Sequence, residues 1–271
     1  MTASPDSSFY VYGEFARGVL AEIRRETFGE DLGQFSWITA DELRRFFREL
    51  QLTDHSHLLD VACGSGGPAL FAANTLGCRV TGIDINESGI DAGRRMAEAH
   101  GLPDRVHFQR VNVRDRLPFD DATFDAIISI DAMNHFEHRE ELLREWWRVL
   151  RPGAGFIFTD ATIVTGTVSR DEILGRSISM GHFLFTPAGE HERLIQRSGF
   201  VDLRADDVTD TIAMVSKRWH DAREKRRSEL LERETPSDFK NLQQMLSAAH
   251  TLAKQRRLSR FAYFARKPGS A

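Results

Sequence analysis

An acidic residue at the end of an apolar run, followed by a glycine-rich bend, can hold a small ligand. That pattern occurs in His57-Leu58-Leu59-Asp60-Val61-Ala62-Cys63-Gly64-Ser65-Gly66-Gly67-Pro68. Gly64 and Gly66 permit positive φ and let a ligand approach with no Cβ in the way. A second apolar run, Arg79-Val80-Thr81-Gly82-Ile83-Asp84, also ends in a carboxylate. Two acids flanking one glycine turn suit a ligand with ribose hydroxyls for Asp84 and a cation, such as an amino group, for Asp60. Asp84 as a mere acidic cap of the following helix stays open as the plainer alternative. A third run ends in Ser129-Ile130-Asp131-Ala132-Met133-Asn134-His135-Phe136. Asp131 and His135 there could move a proton, and His135 is the better base, with a reference pKa of about 6.5. Packing beside the ligand is an equally weighted reading of His135.

Several other chemistries do not fit. A dinucleotide turn needs a third glycine, which position 69 lacks, and Asp60 would repel a pyrophosphate. No Gly-Lys-Ser/Thr follows the turn, so a Walker-type loop is excluded, and Gly64-Ser65-Gly66 lacks the frame of a serine-hydrolase elbow. His135 and His138 stand three apart with no further ligand at metal spacing, so no metal is expected.

These residues need a scaffold that brings strand ends together. Apolar runs and helix-period segments alternate: strands over His57–Ala62, Arg79–Asp84, Val106–Val111, Phe124–Ile130 and Gly155–Thr162, helices over Ala69–Leu76, Glu87–His100 and Arg139–Leu150. That rhythm predicts a parallel sheet. Phe200–Asp207 and Arg257–Ala265 would form the antiparallel edge, with a helical insertion over 208–255 between them. Upstream, helices are expected over Phe9–Thr27 and Thr39–Leu50, giving a helical cap over 1–54 and a core over 55–271. The 271 residues, 41% hydrophobic, suffice for such a core. A formal charge of −4 gives no general attraction to nucleic acid or anionic lipid. The insertion is basic, but its charges interleave with acids as on a solvated face. Two cysteines, no long apolar run and a polar start suggest cytoplasmic residence without membrane or disulfide framework.

Asp60-Val61-Ala62-Cys63-Gly64-Ser65-Gly66, Asp84, Leu117-Pro118-Phe119, Phe124-Asp125 and Arg148-Val149-Leu150-Arg151-Pro152-Gly153 together resemble the ordered motifs of class I S-adenosylmethionine-dependent methyltransferases, over roughly residues 55–160. The resemblance implies an α/β, Rossmann-like sheet of seven mostly parallel strands with the last antiparallel, and S-adenosylmethionine as cofactor. Ala62 stands where the family usually has the first glycine of the turn. By resemblance Asp60 faces the methionine amine, Gly64 and Gly66 give close backbone approach, and Asp84 takes the ribose. Ile85 covers the adenine or ribose, Asn112 accepts the adenine amino group, the Val113 N–H meets the ring, and Ile130 lines the cofactor. Gly33-Gln34-Phe35-Ser36-Trp37 resembles the Gly-Gln segment of small-molecule methyltransferases, so Gln34 and Trp37 join Met133, Asn134 and Phe183 as acceptor-binding candidates. Tyr12 and Arg17 could reach the methionine carboxylate. His182, in the lid-like Ser179–Phe185, is a second base candidate, whereas His191 reads as scaffold. The expected function is methyl transfer to an O, N or C atom of a small, moderately hydrophobic molecule, by a monomer or homodimer without nucleic acid. A cofactor-binding cyclase or isomerase of the same fold is the alternative.

Overall fold

The computed structural model describes residues 18–177 and 185–270. Seven strands form one sheet in the order β3-β2-β1-β4-β5-β7-β6: β1 His57–Val61, β2 Arg79–Asp84, β3 Val106–Arg110, β4 Phe124–Ile130, β5 Leu150–Val164, β6 Val201–Asp207 and β7 Leu258–Arg266. The first five pair in parallel, and β7 runs antiparallel to both β5 and β6. Strand order reverses between β1 and β4. Ligands of open α/β sheets lie in the crevice beyond the strand carboxyl ends at such a point.

Helices cover both faces because the central strands are apolar on both sides. On one face α2 (Ala40–Glu49), α3 (Gly67–Leu76) and α4 (Glu87–Ala99) pack Phe46, Phe47, Phe71 and Ile90 against Leu58, Val80 and Ile128. On the other, α5 (Arg139–Val149) and α7 (Glu190–Arg197) place Trp146 and Ile195 over Leu59, Ile127, Phe156 and Phe158. A third cluster joins α1 (Val19–Phe28) to the insertion helices α8 (Thr209–Lys225), α9 (Arg227–Leu231) and α10 (Pro236–Lys254). The remaining helix, α6, spans Arg170–Ser177. The stretch expected as a cap therefore divides, with α2 on the sheet and α1 on the insertion.

Local sequence explains most boundaries. Thr39 caps α2 by accepting the Glu42 N–H, and Asn86 caps α4 by accepting the Gly89 N–H. Pro68 sits in the first turn of α3, where its missing N–H costs nothing, so that helix begins two residues before the expected Ala69. Strand β5 differs most from expectation: it starts at Leu150, not Gly155, and its pairing with β4 shifts register between Phe124 and Ala126. Arg151-Pro152-Gly153, left between the expected helix and strand, is thus taken up as an irregularity within a strand. Among the described residues no helix is long and apolar enough to cross a membrane. Several basic residues of the insertion are engaged by acids: Arg226 reaches Glu22 and Glu26 on α1, and Lys217 pairs with Asp221; just beyond it, Arg256 pairs with Asp207 and Asp210.

Candidate functional site

The glycine turn follows β1 at the reversal point. Register places Asp60 between Gly82 of β2 and Ile128 of β4, so its side chain belongs to the centre of the sheet. Ala62, Gly64 and Gly66 all adopt positive φ, at 58°, 56° and 78°. For Gly66 no side chain is possible: a Cβ would lie 2.2 Å from the Phe108 ring. Ala62 holds the left-handed conformation despite its Cβ, at a cost on the order of 1 kcal/mol.

Asp84 closes the turn. Its Oδ2 accepts the Gly64 N–H at 2.8 Å and its Oδ1 accepts the Asn86 N–H at 2.8 Å. Burial pushes its pKa above the ordinary carboxylate value; the N–H groups of Asn86, Gly64 and Ile85 and the charge of His135 oppose that rise. Asp60 is only 1% exposed, and among the described residues its Oδ2 has no hydrogen-bond partner. Burial raises its pKa well above the usual range, the neighbouring Asp84 charge adds to this, and the Ala69 N–H counters it. A buried acceptor without a donor is costly, and a cation held there would satisfy it. Ile85, next to Asp84, exposes 43% of its surface at the crevice mouth. Asn112 and Val113 follow β3 beside it; the Asn112 Oδ1 accepts the Arg114 N–H at 3.2 Å and keeps a second lone pair.

Beyond the ends of β4 and β5 lies a second cavity. Phe35, Ser36, Trp37, Asp131 and His135 line it from the core side, and Trp219 and Met245 close it from α8 and α10. Trp219 meets Phe28, Phe35 and Trp37 edge-on, with centroids 5.8, 5.0 and 6.3 Å away. His135 ends a 3-10 turn, Met133–His135, and its charge reaches Asp84. It therefore stands between the acidic crevice and the aromatic cavity.

The segment before α2 links the two. Ser65 Oγ donates to the Gly33 carbonyl at 2.8 Å, and the Trp37 N–H donates to Asp131 Oδ2 at 2.9 Å. Gln34 is buried; its Oε1 accepts the Leu32 N–H, and its Nε2 has no partner among the described residues. Gln34 thus lies against the glycine turn with a free donor.

Several expectations change. Asp131, a proton-transfer candidate by sequence, has both carboxylate oxygens engaged by the Arg260 guanidinium, with Thr159 Oγ1 and the Trp37 N–H as further donors. Met133 is not a cavity wall: it is fully buried under α5 in the cluster of Leu59, Val61 and Trp146. Phe136 packs against that same cluster. Asn134 turns inward, its Nδ2 donating to the Asp131 carbonyl and to Asp160 Oδ1 at 3.1 Å. Ile130 is nearly covered within the α2–α4 cluster. Phe185 lines a separate apolar pocket with Val164, Ile173, Leu252 and Leu258. Tyr12, Arg17, His182 and Phe183 lie outside the described residues. Sequence reasoning missed Arg260, Glu42, Trp219 and Met245, whose contacts with the site cross most of the chain. His191, read as scaffold, lies buried in the first turn of α7 with its Nε2 3.0 Å from Asp160 Oδ2. Among the described residues no group of three His, Cys, Asp or Glu could hold a metal ion.

Comparison with known proteins bears on this geometry. The family model of a methyltransferase domain matches residues 58–153. The O-methyltransferase resE of Aspergillus sclerotiorum is 32% identical over 162 residues, covering 59% of this chain and 61% of the relative. The O-methyltransferase rstn1 of Aspergillus nomiae is 30% identical over 155 residues, covering 57% of this chain and 68% of the relative. The chain thus spans about three-fifths to two-thirds of the length of these curated relatives. Among solved structures, phosphoethanolamine N-methyltransferase 2 of Haemonchus contortus, in complex with phosphomonomethylethanolamine and S-adenosylhomocysteine, shares the fold. Its TM-score is 0.79 at 18% identity, covering 97% of this chain and 60% of that one.

Proposed function

The chain belongs to the class I S-adenosylmethionine-dependent methyltransferases, and from that premise we propose that it methylates an O, N or C atom of a small, moderately hydrophobic molecule by in-line displacement. One observation carries the reading: Asp60 Oδ2 is buried at the strand-order reversal with no donor among the described residues, where a cationic amine would fit. The cofactor, when bound, supplies an electrophilic methyl group on a sulfonium.

The chain's residues divide the remaining work. Asp60 takes the methionine amine, Asp84 the ribose hydroxyls, and the backbone of Ala62, Gly64 and Gly66 lets the ligand lie close. Ile85 covers the adenine with apolar surface that is otherwise exposed to water. Asn112 offers its spare lone pair to the adenine amino group, the Val113 N–H meets the ring, and Ile130 backs the cofactor. Gln34, beside the glycine turn, offers its amide donor to the acceptor or the cofactor. On the acceptor side Phe35, Trp37, Trp219 and Met245 form walls that exclude water and align the nucleophile. Alignment alone is worth several kcal/mol, on the order of 7 or more for well-oriented partners. His135, between crevice and cavity, holds or takes the acceptor proton when the nucleophile is a hydroxyl or phenol. Asp131 fixes the cavity wall and does not exchange protons.

The test is an acceptor panel with isotope-labelled S-adenosylmethionine. Label transferred to an acceptor, with S-adenosylhomocysteine released, supports the proposal. Tight cofactor binding with an acceptor rearranged but unlabelled would replace it with the cyclase reading, and no cofactor binding would remove both.

A further inference from the structure

We infer that Arg260 is a positioning residue that sets the acceptor wall and the His135 turn through Asp131. The inference rests on reading the aromatic cavity as the acceptor site. Arg260 lies on β7, at the far end of the chain from the motifs, and is 0% exposed. Its Nε donates to Asp131 Oδ1 at 2.7 Å and its Nη2 to Oδ2 at 3.2 Å. Its Nη1 donates to both oxygens of Glu42 on α2, at 2.9 and 3.1 Å. One planar guanidinium thus joins two buried carboxylates from two other elements, with the fork geometry that lysine cannot reproduce.

Asp131 needs such a clamp. Its φ is 54°, a conformation that a non-glycine residue keeps only where its surroundings enforce it. Thr159 contributes from β5, its carbonyl and Oγ1 both accepting the Asp131 N–H and its hydroxyl donating back to Oδ1. The kink turns the chain out of β4 and into the 3-10 turn that ends at His135. The same carboxylate accepts the Trp37 N–H, fixing the backbone of a cavity wall 94 positions away. Asn134 Nδ2 reaches the Asp131 carbonyl and steadies the turn from its other side. Among the described residues Arg260 does not line the aromatic cavity; braced on Glu42, it acts on Trp37 and the His135 turn through Asp131. An arginine kept merely for stability would not need its fork to end on the residue from which both Trp37 and His135 are hung.

The experiment compares the full chain with Arg260→Lys, which keeps the charge and loses the fork. S-adenosylhomocysteine affinity and hydrogen exchange of α4 are expected to stay unchanged. Exchange of the Gln34–Ile38 peptide is expected to rise roughly tenfold through local opening. For the panel acceptor that the parent protein methylates, kcat is expected to fall by about 10²-fold with KM little changed, the penalty of ångström-scale misplacement. Unchanged kcat and unchanged exchange of Gln34–Ile38 would overturn the inference, as would equal losses in kcat, cofactor affinity and α4 protection. Should Arg260→Lys not fold, Glu42→Gln frees one side of the guanidinium and is read by the same criteria, with smaller changes in the same direction. A parent protein that binds no S-adenosylhomocysteine refutes the functional reading, and the exchange of Gln34–Ile38 then judges Arg260 by itself.

Discussion

Asp60 is costly to bury in the ligand-free protein, and in the proposed function that cost is offset by the bound amine. Its folded-state pKa lies above the unfolded value. The penalty is therefore absent below the unfolded pKa of about 3.9, grows as pH rises toward the folded pKa, and is constant beyond it. Asp60→Asn removes the buried charge, so it should raise stability at neutral pH by about 1–3 kcal/mol while weakening cofactor binding strongly. Denaturant melts and calorimetric titration of the same sample check both halves; a variant that lost stability would contradict the burial argument. In the proposed role the ionised form of Asp60 holds the amine, so binding should release protons at pH values below its raised pKa. Titrations in buffers of different ionisation enthalpy would detect this, and Asp60→Asn should reduce the release. Ala62 gives a second residue-scale test. With φ at 58°, Ala62→Gly relieves left-handed strain of about 1–2 kcal/mol, partly offset by greater unfolded-chain entropy of about 0.4–1 kcal/mol. A small gain in stability at unchanged cofactor affinity is expected, and a loss in either would show that the methyl group is used.

At the scale of elements, the start of α3 and the segment before α2 are packed against each other without slack. A Cβ on Gly67 would meet the Leu32 carbonyl at 2.1 Å, and backbone there cannot move aside cheaply. Gly67→Ala should displace residues 32–37, cost about 1–3 kcal/mol by overpacking and impair both the crevice and the aromatic wall. A melt and a cofactor titration would show this, and wild-type values in both would mean the segment is free to move. Legibility followed the same local logic. The run Phe124–Ile130 coincides with β4 to the residue, because a strand covered on both faces is mostly apolar, with only Asp125 near its start and Ser129 breaking the run. Strand β5 was not legible at its start, since Arg151-Pro152-Gly153 carries turn chemistry and only pairing with β4 makes it a bulged strand.

At the scale of the whole molecule, the insertion helices are welded to α1 and lean over the cavity through Trp219, whose ring meets three aromatic neighbours. Trp219→Ala should cost about 3–5 kcal/mol and abolish acceptor turnover in whatever fraction remains folded. A melt with turnover per folded molecule checks this; unaltered turnover would detach the insertion from the acceptor site. The crevice was legible because Asp60, the glycines and Asp84 are neighbours in sequence. The acceptor side was not: Arg260 reaches Asp131 across 129 positions and Glu42 across 218, and nothing local in any of the three announces the others. Met133 misled for a related reason, as the 3-10 turn buries Met133 and Asn134 and brings only His135 to the cavity. The most direct measurement is a crystal structure of the protein with S-adenosylhomocysteine. The account predicts the ribose hydroxyls on Asp84 and the amino group within hydrogen-bond distance of Asp60 Oδ2. A nucleoside bound elsewhere, or an Asp60 oxygen still without a partner, would contradict it.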